Sequence, residues 1–204
     1  ILAEGVKRAS MKIGKGTEKY AIETKGVEAS NDDPRGLGFA FGLTFAVSTR
    51  GFDHLRGLPC LELTGFFYPG LVEKRGLPKE AVYRLTPIGK PKMQIMQDNI
   101  KAAGDALSLC CFTFTWSFGL TWEDMADLYT AVTGVPSTVD TLMTIGERII
   151  NIERAHWNRE LVGRLEDTLH WRFTQEPNPV GPKTVSLSFK TFKPNDPPDY
   201  VGVV

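Results

Sequence analysis

The chain has 204 residues, enough for one large domain or two small ones with a core of their own. Lysine and arginine together number 24, as do aspartate and glutamate, and this zero net charge argues against sequence-independent nucleic-acid binding. No apolar stretch approaches the ~20 residues of a membrane span, and two of the three cysteines are adjacent, a poor disulfide framework. We therefore expect a cytoplasmic protein with neither a membrane nor a nucleic-acid partner.

The chain opens on a predicted helix. Its apolar residues recur at helical spacing at Leu2, Val6, Ala9 and Ile13. Gly14 follows where glycine commonly ends a helix. Because the chain starts at Ile1 within this amphipathic pattern, we expect it to be a piece of something longer.

Residues 37–47 are rich in glycine, alanine and phenylalanine and nearly free of charge. A helix of this composition is buried on all sides, and its small residues let another backbone or a ligand approach closely. The turn-forming residues 31–36 precede it.

A polar cluster follows this segment in residues 48–57. It contains Arg50, Asp53, His54 and Arg56. The cluster has two interpretations of equal weight. It is a solvated helix end, or it is the wall of a site in which the arginines hold phosphate and His54 moves a proton near neutral pH.

Residues 59–91 are interrupted by glycine and proline and predict a long irregular connection with one short helix near residues 78–84. The next helix has its apolar face at Met93, Met96, Ile100 and Ala103. Start signals at Thr121 and in residues 137–140 predict two further packing helices. The apolar stripe of the second comprises Leu142, Ile145, Ile149 and Ile152. The fold class is therefore mainly α, a multi-helical domain over residues 1–180 with long irregular connections and an irregular tail at 181–204.

The stretch from Asp105 to the adjacent cysteines Cys110 and Cys111 lies where a predicted helix gives way to an aromatic segment. Buried thiols usually act as small hydrophobic groups, and the local chemistry favours that interpretation. The alternative is a thiolate on a soft metal centre, with Asp105 accepting hydrogen bonds from an organic cofactor.

Taken together, these motifs resemble the C-terminal part of the aldehyde ferredoxin oxidoreductase family, the tungsten-dependent and occasionally molybdenum-dependent enzymes. The resemblance covers roughly residues 1–180. The matching segments, in chain order, are residues 12–16, 25–28, 33–36, 46–51, 54–56, 105–110, 146–149 and 151–154. It implies the helical fold of the C-terminal domain of these enzymes.

The resemblance also implies roles for residues around the cysteines. Cys110 matches the family's fourth thiolate on a [4Fe–4S] cluster, and Asp105 matches the carboxylate that accepts hydrogen bonds from a pterin ring. The main chain around Leu109 and Cys111 would line the pterin. Ser108 departs from the pattern, because the family usually has glycine there.

Within the polar cluster, Arg50 and Arg56 match basic residues that contact the metallopterin, and we expect that contact at its phosphate. His54 matches the histidine that acts as a proton donor or acceptor near the metal. The residues that precede it, Phe52 and Asp53, differ from the small residues of several members, which leaves the substrate open.

The activity implied is oxidation of small aldehydes to carboxylic acids, with electrons passed to ferredoxin or another electron-transfer protein. The implied cofactors are a tungsten (or molybdenum) bis-pterin and a [4Fe–4S] cluster. The remaining N-terminal part of the enzyme is an implied partner, since the other cluster cysteines have no counterpart in these 204 residues, and a homo-oligomer stays open. Two alternatives remain: a reductase of the same family acting on aromatic acyl-CoA or carboxylates, and a helical interaction module without a cofactor.

Overall fold

The computed structural model describes residues 2–30, 32–64, 69–115 and 119–178, and this part of the chain is mainly helical, as the sequence predicts. Its α-helices are α1 (Gly5–Ile13), α2 (Pro34–Leu37), α3 (Phe39–Val47), α4 (Cys60–Thr64), α5 (Pro69–Lys74), α6 (Lys90–Ala106), α7 (Cys111–Phe114), α8 (Trp122–Thr133), α9 (Val139–Arg159) and α10 (Trp171–Gln175). Short 3-10 helices cover Leu2–Glu4, Thr17–Tyr20, Lys79–Val82 and Arg164–Glu166. The strands in these residues are β1 (Glu23–Thr24) and β2 (Val27–Glu28), paired antiparallel.

Helix α6 is the central element, since α9 packs along one side of it and α3 along another. The apolar face predicted for α6 is confirmed: Met93, Ile100 and Ala103 are all buried. Close packing against α9 depends on Gly146, because a Cβ atom there would lie 1.8 Å from the carbonyl oxygen of Asn99 on α6. Glycine therefore lets the two backbones meet.

The predicted starts of α8 and α9 are confirmed by capping boxes. The Thr121 hydroxyl accepts from the amide of Asp124 at 3.1 Å, and the Asp124 carboxylate accepts from the amide of Thr121 at 2.7 Å. Thr138 and Thr141 form the corresponding pair at the start of α9. Both boxes satisfy backbone donors that a helix start leaves unpaired.

The stripe predicted for α9 is wrong at its end. Leu142 is buried, but Ile152 is 72% exposed. At about 100° per residue, position 152 lies about 80° around the helix from Leu142, whereas Glu153 lies within about 20° of it. The charged Glu153 therefore takes the inward place that the hydrophobic pattern assigned to Ile152.

Helix α3 is buried on nearly all sides, which confirms the prediction for this segment. It separates two apolar cores. Ala40 belongs to the main core, which α6, α8 and α9 also line. Phe41 and Phe45 belong to a second cluster with Phe52 and Phe173. The end of α3 thus delivers residues 48–57 to the boundary between the two cores.

Residues 59–91 are more regular than predicted, because α4, α5 and Lys79–Val82 form short helices there. Such short helices need tertiary support. Buried Leu61 and Val72 supply it by packing into the main core. The tail at 181–204, and the boundary predicted at residue 180, lie outside the described residues. Within the described ranges, no helix combines the length and apolarity needed to cross a bilayer.

Candidate functional site

The segment from Asp105 to Cys110 is the C-terminal cap of α6. The amide of Leu109 donates to the carbonyl of Gly104 at 3.0 Å, and the amide of Ser108 donates to the carbonyl of Asp105 at 3.0 Å. These two bonds define a Schellman motif, whose C′ residue is left-handed. Ser108 occupies that position with φ of 58°. The spacing from Asp105 to Cys110 is therefore the spacing of one helix end and the start of the next.

Cys110 is the N-cap of the short α7 and is exposed, whereas Cys111 and Leu109 are half-buried. The Leu109 side chain packs against the main core. Helix α7 is held against α6 because Phe114 lies over Gly104, where a Cβ atom would come within 2.2 Å of the ring. The fold thus fixes the backbone of Cys110 and leaves its thiol accessible.

An ion-pair cluster joins the end of α6 to the polar segment after α3. Arg56 donates from Nη1 to Oδ2 of Asp105 at 2.8 Å, and from Nε to Oε2 of Glu153 at 3.0 Å. Its Nη2 also donates to Oε1 of Glu153, which makes the contact with that carboxylate bidentate. Arg56 therefore bridges two carboxylates that come from α6 and α9.

Lys101 completes this cluster, because its ammonium donates to Oδ1 of Asp105 one helical turn later. The side chains of Arg56 and Lys101 are 9% and 6% exposed, but that of Asp105 is 36% exposed. The two cations thus lie beneath the Asp105 carboxylate and orient it, while the carboxylate itself reaches solvent.

Glu153 is held in turn by the segment after α3. The hydroxyl of Thr49 donates to Oε2 of Glu153 at 2.6 Å. The indole of Trp157, one turn further along α9, donates to the carbonyl oxygen of Thr49. Thr49 therefore attaches residues 48–57 to α9 at Glu153 and at Trp157, and the first of these also bonds Arg56.

Asp98 lies one turn before Lys101 on α6 and faces the same region. Burial raises the pKa of Asp98 to about 7, against a hydrogen bond from Gln94 and the charge of Arg56; the charge of Glu153 adds to the rise. The amide of Gln94 donates to Asp98 at 2.7 Å. Gly57 packs directly over this pair, since a Cβ atom there would lie 2.1 Å from Oδ1 of Asp98.

The His54 ring packs against the second apolar cluster. Its ring meets Phe45 edge-on, with centroids 5.6 Å apart, and lies 5.8 Å from Phe41. Its Nδ1 lies 3.3 Å from Oδ2 of Asp32, an ion-pair distance without hydrogen-bond geometry. The ring is thus fixed by packing, with Nε2 as the nitrogen directed away from Asp32.

Arg50 stands apart from the cluster. Its side chain is 59% exposed and pairs with Asp53 at 2.9 Å. The two interpretations of residues 48–57 therefore each describe a part of the segment: Arg50 is a solvated side chain, whereas Arg56 belongs to a buried wall.

Sequence reasoning missed Glu153 and Lys101. Lys101 carries a detectable signal, because a lysine four residues before an aspartate on a helix can pair with it. Glu153 carries a weaker signal, since its helical phase places it on the face of Leu142 but its partner Arg56 is 97 residues away in the chain.

In the described part of the chain, no group of three or more histidine, cysteine, aspartate or glutamate side chains could hold a metal ion. Cys60 is also a poor ligand, because burial raises the pKa of its thiol to about 12. The donors that remain suit a shared site: one accessible thiol at Cys110, one oriented carboxylate at Asp105, and the part of the Arg56 donor capacity that the ion pairs leave unused. These residues fit a group that is also bound from elsewhere.

Known proteins of similar sequence cover most of this chain. Residues 1–194 match the family described as aldehyde ferredoxin oxidoreductase, domains 2 and 3. The chain is 36% identical over 184 residues to the tungsten-containing aldehyde ferredoxin oxidoreductase of Pyrococcus horikoshii, and 32% identical over 183 residues to the protein of that name from Thermococcus kodakarensis. These alignments cover 89% of this chain but 28% and 27% of the two relatives. The chain thus spans little more than a quarter of the length of the curated relatives it matches.

Proposed function

Because the chain belongs to the aldehyde ferredoxin oxidoreductase family, we propose that it forms one wall of a site for a tungsten (or molybdenum) bis-pterin and a [4Fe–4S] cluster. The larger enzyme would be a cytoplasmic oxidoreductase that converts an aldehyde and water into a carboxylic acid, two protons and two electrons. Ferredoxin or another electron-transfer protein would accept the electrons. The rest of the enzyme would supply the other wall.

The arrangement at the end of α6 carries this proposal. Asp105 is the one carboxylate of the ion-pair cluster that is both fixed by two cations and open to solvent at its helix end. The accessible thiol of Cys110 lies just beyond it on a capped backbone. A cofactor with N–H donors and a cluster that takes thiolate would each find its matching group here.

The residues of this chain would bind and orient these groups. Asp105 would accept N–H hydrogen bonds from the pterin ring through lone pairs that Lys101 and Arg56 leave free. Arg56 would donate its remaining N–H groups to the pterin. Arg50, whose side chain is 59% exposed and pairs with Asp53, would reach a phosphate.

Cys110 would supply one thiolate to the cluster, and the other ligands would come from outside the described residues. The backbone of Leu109 and Cys111 would pass along the pterin. When bound, the metal and pterin supply the two-electron chemistry and the cluster passes electrons onward. His54 would hold or release a proton at Nε2, since Nδ1 faces Asp32.

Metal analysis of the full-length native protein tests the proposal. We expect tungsten or molybdenum with pterin, and about four irons per chain, together with oxidation of simple aldehydes coupled to reduction of ferredoxin. Asp105→Asn should lower the pterin content, because it removes the charge-assisted acceptor. Cys110→Ser should lower the iron content. Asp140→Asn, a change of the same type at an exposed position of α9, is the matched control.

Two results would count against this function. A full-length protein free of metal and pterin would favour the helical interaction module. A loaded enzyme that leaves aldehydes untouched but reduces aromatic acyl-CoA or carboxylates would move it to the reductase branch of the family.

A further inference from the structure

We propose that Glu153 and Lys101 are positioning residues, which fix Arg56 and Asp105 in the geometry that receives the pterin. The inference rests on the proposed function, because it assigns a task to residues that do not themselves touch the cofactor. It adds α9 to the site, through a residue that lies on the packing face of that helix.

The Glu153 carboxylate bonds to the segment that follows α3. Oε2 accepts from Nε of Arg56 at 3.0 Å and from the hydroxyl of Thr49 at 2.6 Å, and Oε1 accepts from Nη2 of Arg56. Both oxygens are thus engaged by residues 48–57. The Glu153 side chain is 35% exposed, close to the 36% of Asp105, so the positioning role rests on its two bonds to Arg56 rather than on burial.

Arg56 uses some of its N–H groups in ion pairs and has others left to donate to a ligand. Its contacts with Glu153 and Asp105 use three of the guanidinium N–H groups, so donor capacity remains for a ligand. Two bonds to one carboxylate fix the plane of the guanidinium. The direction of the unused N–H groups is therefore set by Glu153 before any ligand arrives.

Charge supports the same assignment. Arg56 and Lys101 are matched by Asp105 and Glu153, so these four side chains are neutral as a group. Removal of Glu153 leaves Arg56 with Asp105 as its remaining carboxylate partner in the cluster. Arg56 would then compete more strongly with the pterin for the Asp105 carboxylate. The carboxylate that should face the pterin would be drawn back toward the protein.

The test uses the full-length enzyme with Glu153→Gln, which keeps the shape and removes the charge. We expect its affinity for the tungsten–pterin group to be about tenfold weaker than that of the native protein, the effect typical of residues that orient ligands. The loss of tungsten and pterin during dialysis measures this difference. Glu147→Gln, the same change at an exposed position of α9, should retain the cofactor. Glu153→Asp should restore retention in part, because it returns the charge.

A second variant changes less of the site, so that a loss of cofactor can be separated from misfolding. Thr49→Val removes only the hydroxyl bond to Oε2 and should weaken retention by a smaller factor than Glu153→Gln. The KM for aldehyde should stay near the native value in both variants, since neither residue faces the substrate.

Different outcomes separate this inference from the proposed function. If the native protein holds tungsten and both variants hold it equally well, the positioning role is wrong and the function stands. If thermal stability falls but retention does not, Glu153 is merely structural and the inference fails. If the native protein itself holds no metal or pterin, the proposed function fails first.

Discussion

Ser108 shows how a single backbone angle organises the candidate site. It takes φ of 58° at the C′ position of the Schellman motif, between the carboxylate of Asp105 and the thiol of Cys110. An L-residue in the left-handed region has an unfavourable contact between Cβ and the backbone, which glycine avoids. The family's glycine at this position thus has a conformational reason, and the serine keeps the conformation at a cost.

Ser108→Gly should therefore stabilise the protein. The relief of strain exceeds the added flexibility of the unfolded chain, for a net gain of about 0.5–1 kcal/mol. Urea denaturation measures it, with Ser137→Gly, outside left-handed backbone, as the control. A loss of stability at Ser108 would show that the side chain contributes more than the backbone angle costs.

Asp98 gives the site a dependence on pH. Because burial raises its pKa from 3.8 to about 7, the folded state binds its proton more tightly than the unfolded state does. The resulting stabilisation is complete below the unfolded pKa and is lost as the pH rises through about 7. Above that pH the Asp98 carboxylate is charged, and the charges of Arg56 and Glu153 act on it.

Asp98→Asn should abolish this dependence. The amide oxygen can still accept the Gln94 hydrogen bond, so we expect little change in melting temperature at pH 5 and a higher melting temperature than the native protein at pH 8. Asp127→Asn, at an exposed position of α8, is the control and should leave the melting temperature near the native value at both pH values. Parallel melting curves for the native protein and Asp98→Asn at both pH values would contradict the assignment.

At the scale of the elements, a buried ion pair fastens α4 to α6 and to the start of α3. Lys90 and Glu62 are 3% and 0% exposed and lie 2.5 Å apart. Burial raises the pKa of Glu62 and lowers that of Lys90, and each partner's charge opposes the shift of the other. Oε1 of Glu62 also accepts from the amide of Ala40 at 3.0 Å, so the carboxylate satisfies a backbone donor of α3.

Lys90→Met should destabilise the protein by about 3–5 kcal/mol, because it leaves the Glu62 carboxylate buried without its cation. Lys92→Met, at an exposed position two residues along α6, is the control and should change stability by less than about 1 kcal/mol. Adding Glu62→Gln to Lys90→Met should recover much of the loss, as a neutral side chain has less need of a charged partner. Equal effects of Lys90→Met and Lys92→Met in chemical denaturation would show that the pair is not structurally important.

At the scale of the whole molecule, sequence reasoning succeeds where the information is local. The caps of α8 and α9, the buried α3 and the apolar face of α6 all follow from spacing within one element, and the family resemblance is confirmed by the match over residues 1–194. Helices α4 and α5 escape it because tertiary packing, rather than propensity, stabilises such short segments. The role of Glu153 escapes it because its partner Arg56 is 97 residues away in the chain, although its helical phase places it on the face of Leu142.

The distribution of metal-binding groups bears on what this chain can bind when it is alone. The proposed cluster at Cys110 would take its other ligands from outside the described residues, which bring together no set of three metal-binding side chains. The chain spans 28% of the Pyrococcus horikoshii relative. The 204-residue chain produced alone should therefore show a helical circular dichroism spectrum, with neither tungsten nor cluster absorbance and no aldehyde oxidation. The full-length protein, purified anaerobically in parallel, is the positive control. Four irons and activity in the chain alone would mean that it completes the site by itself, and the shared wall would be the wrong description.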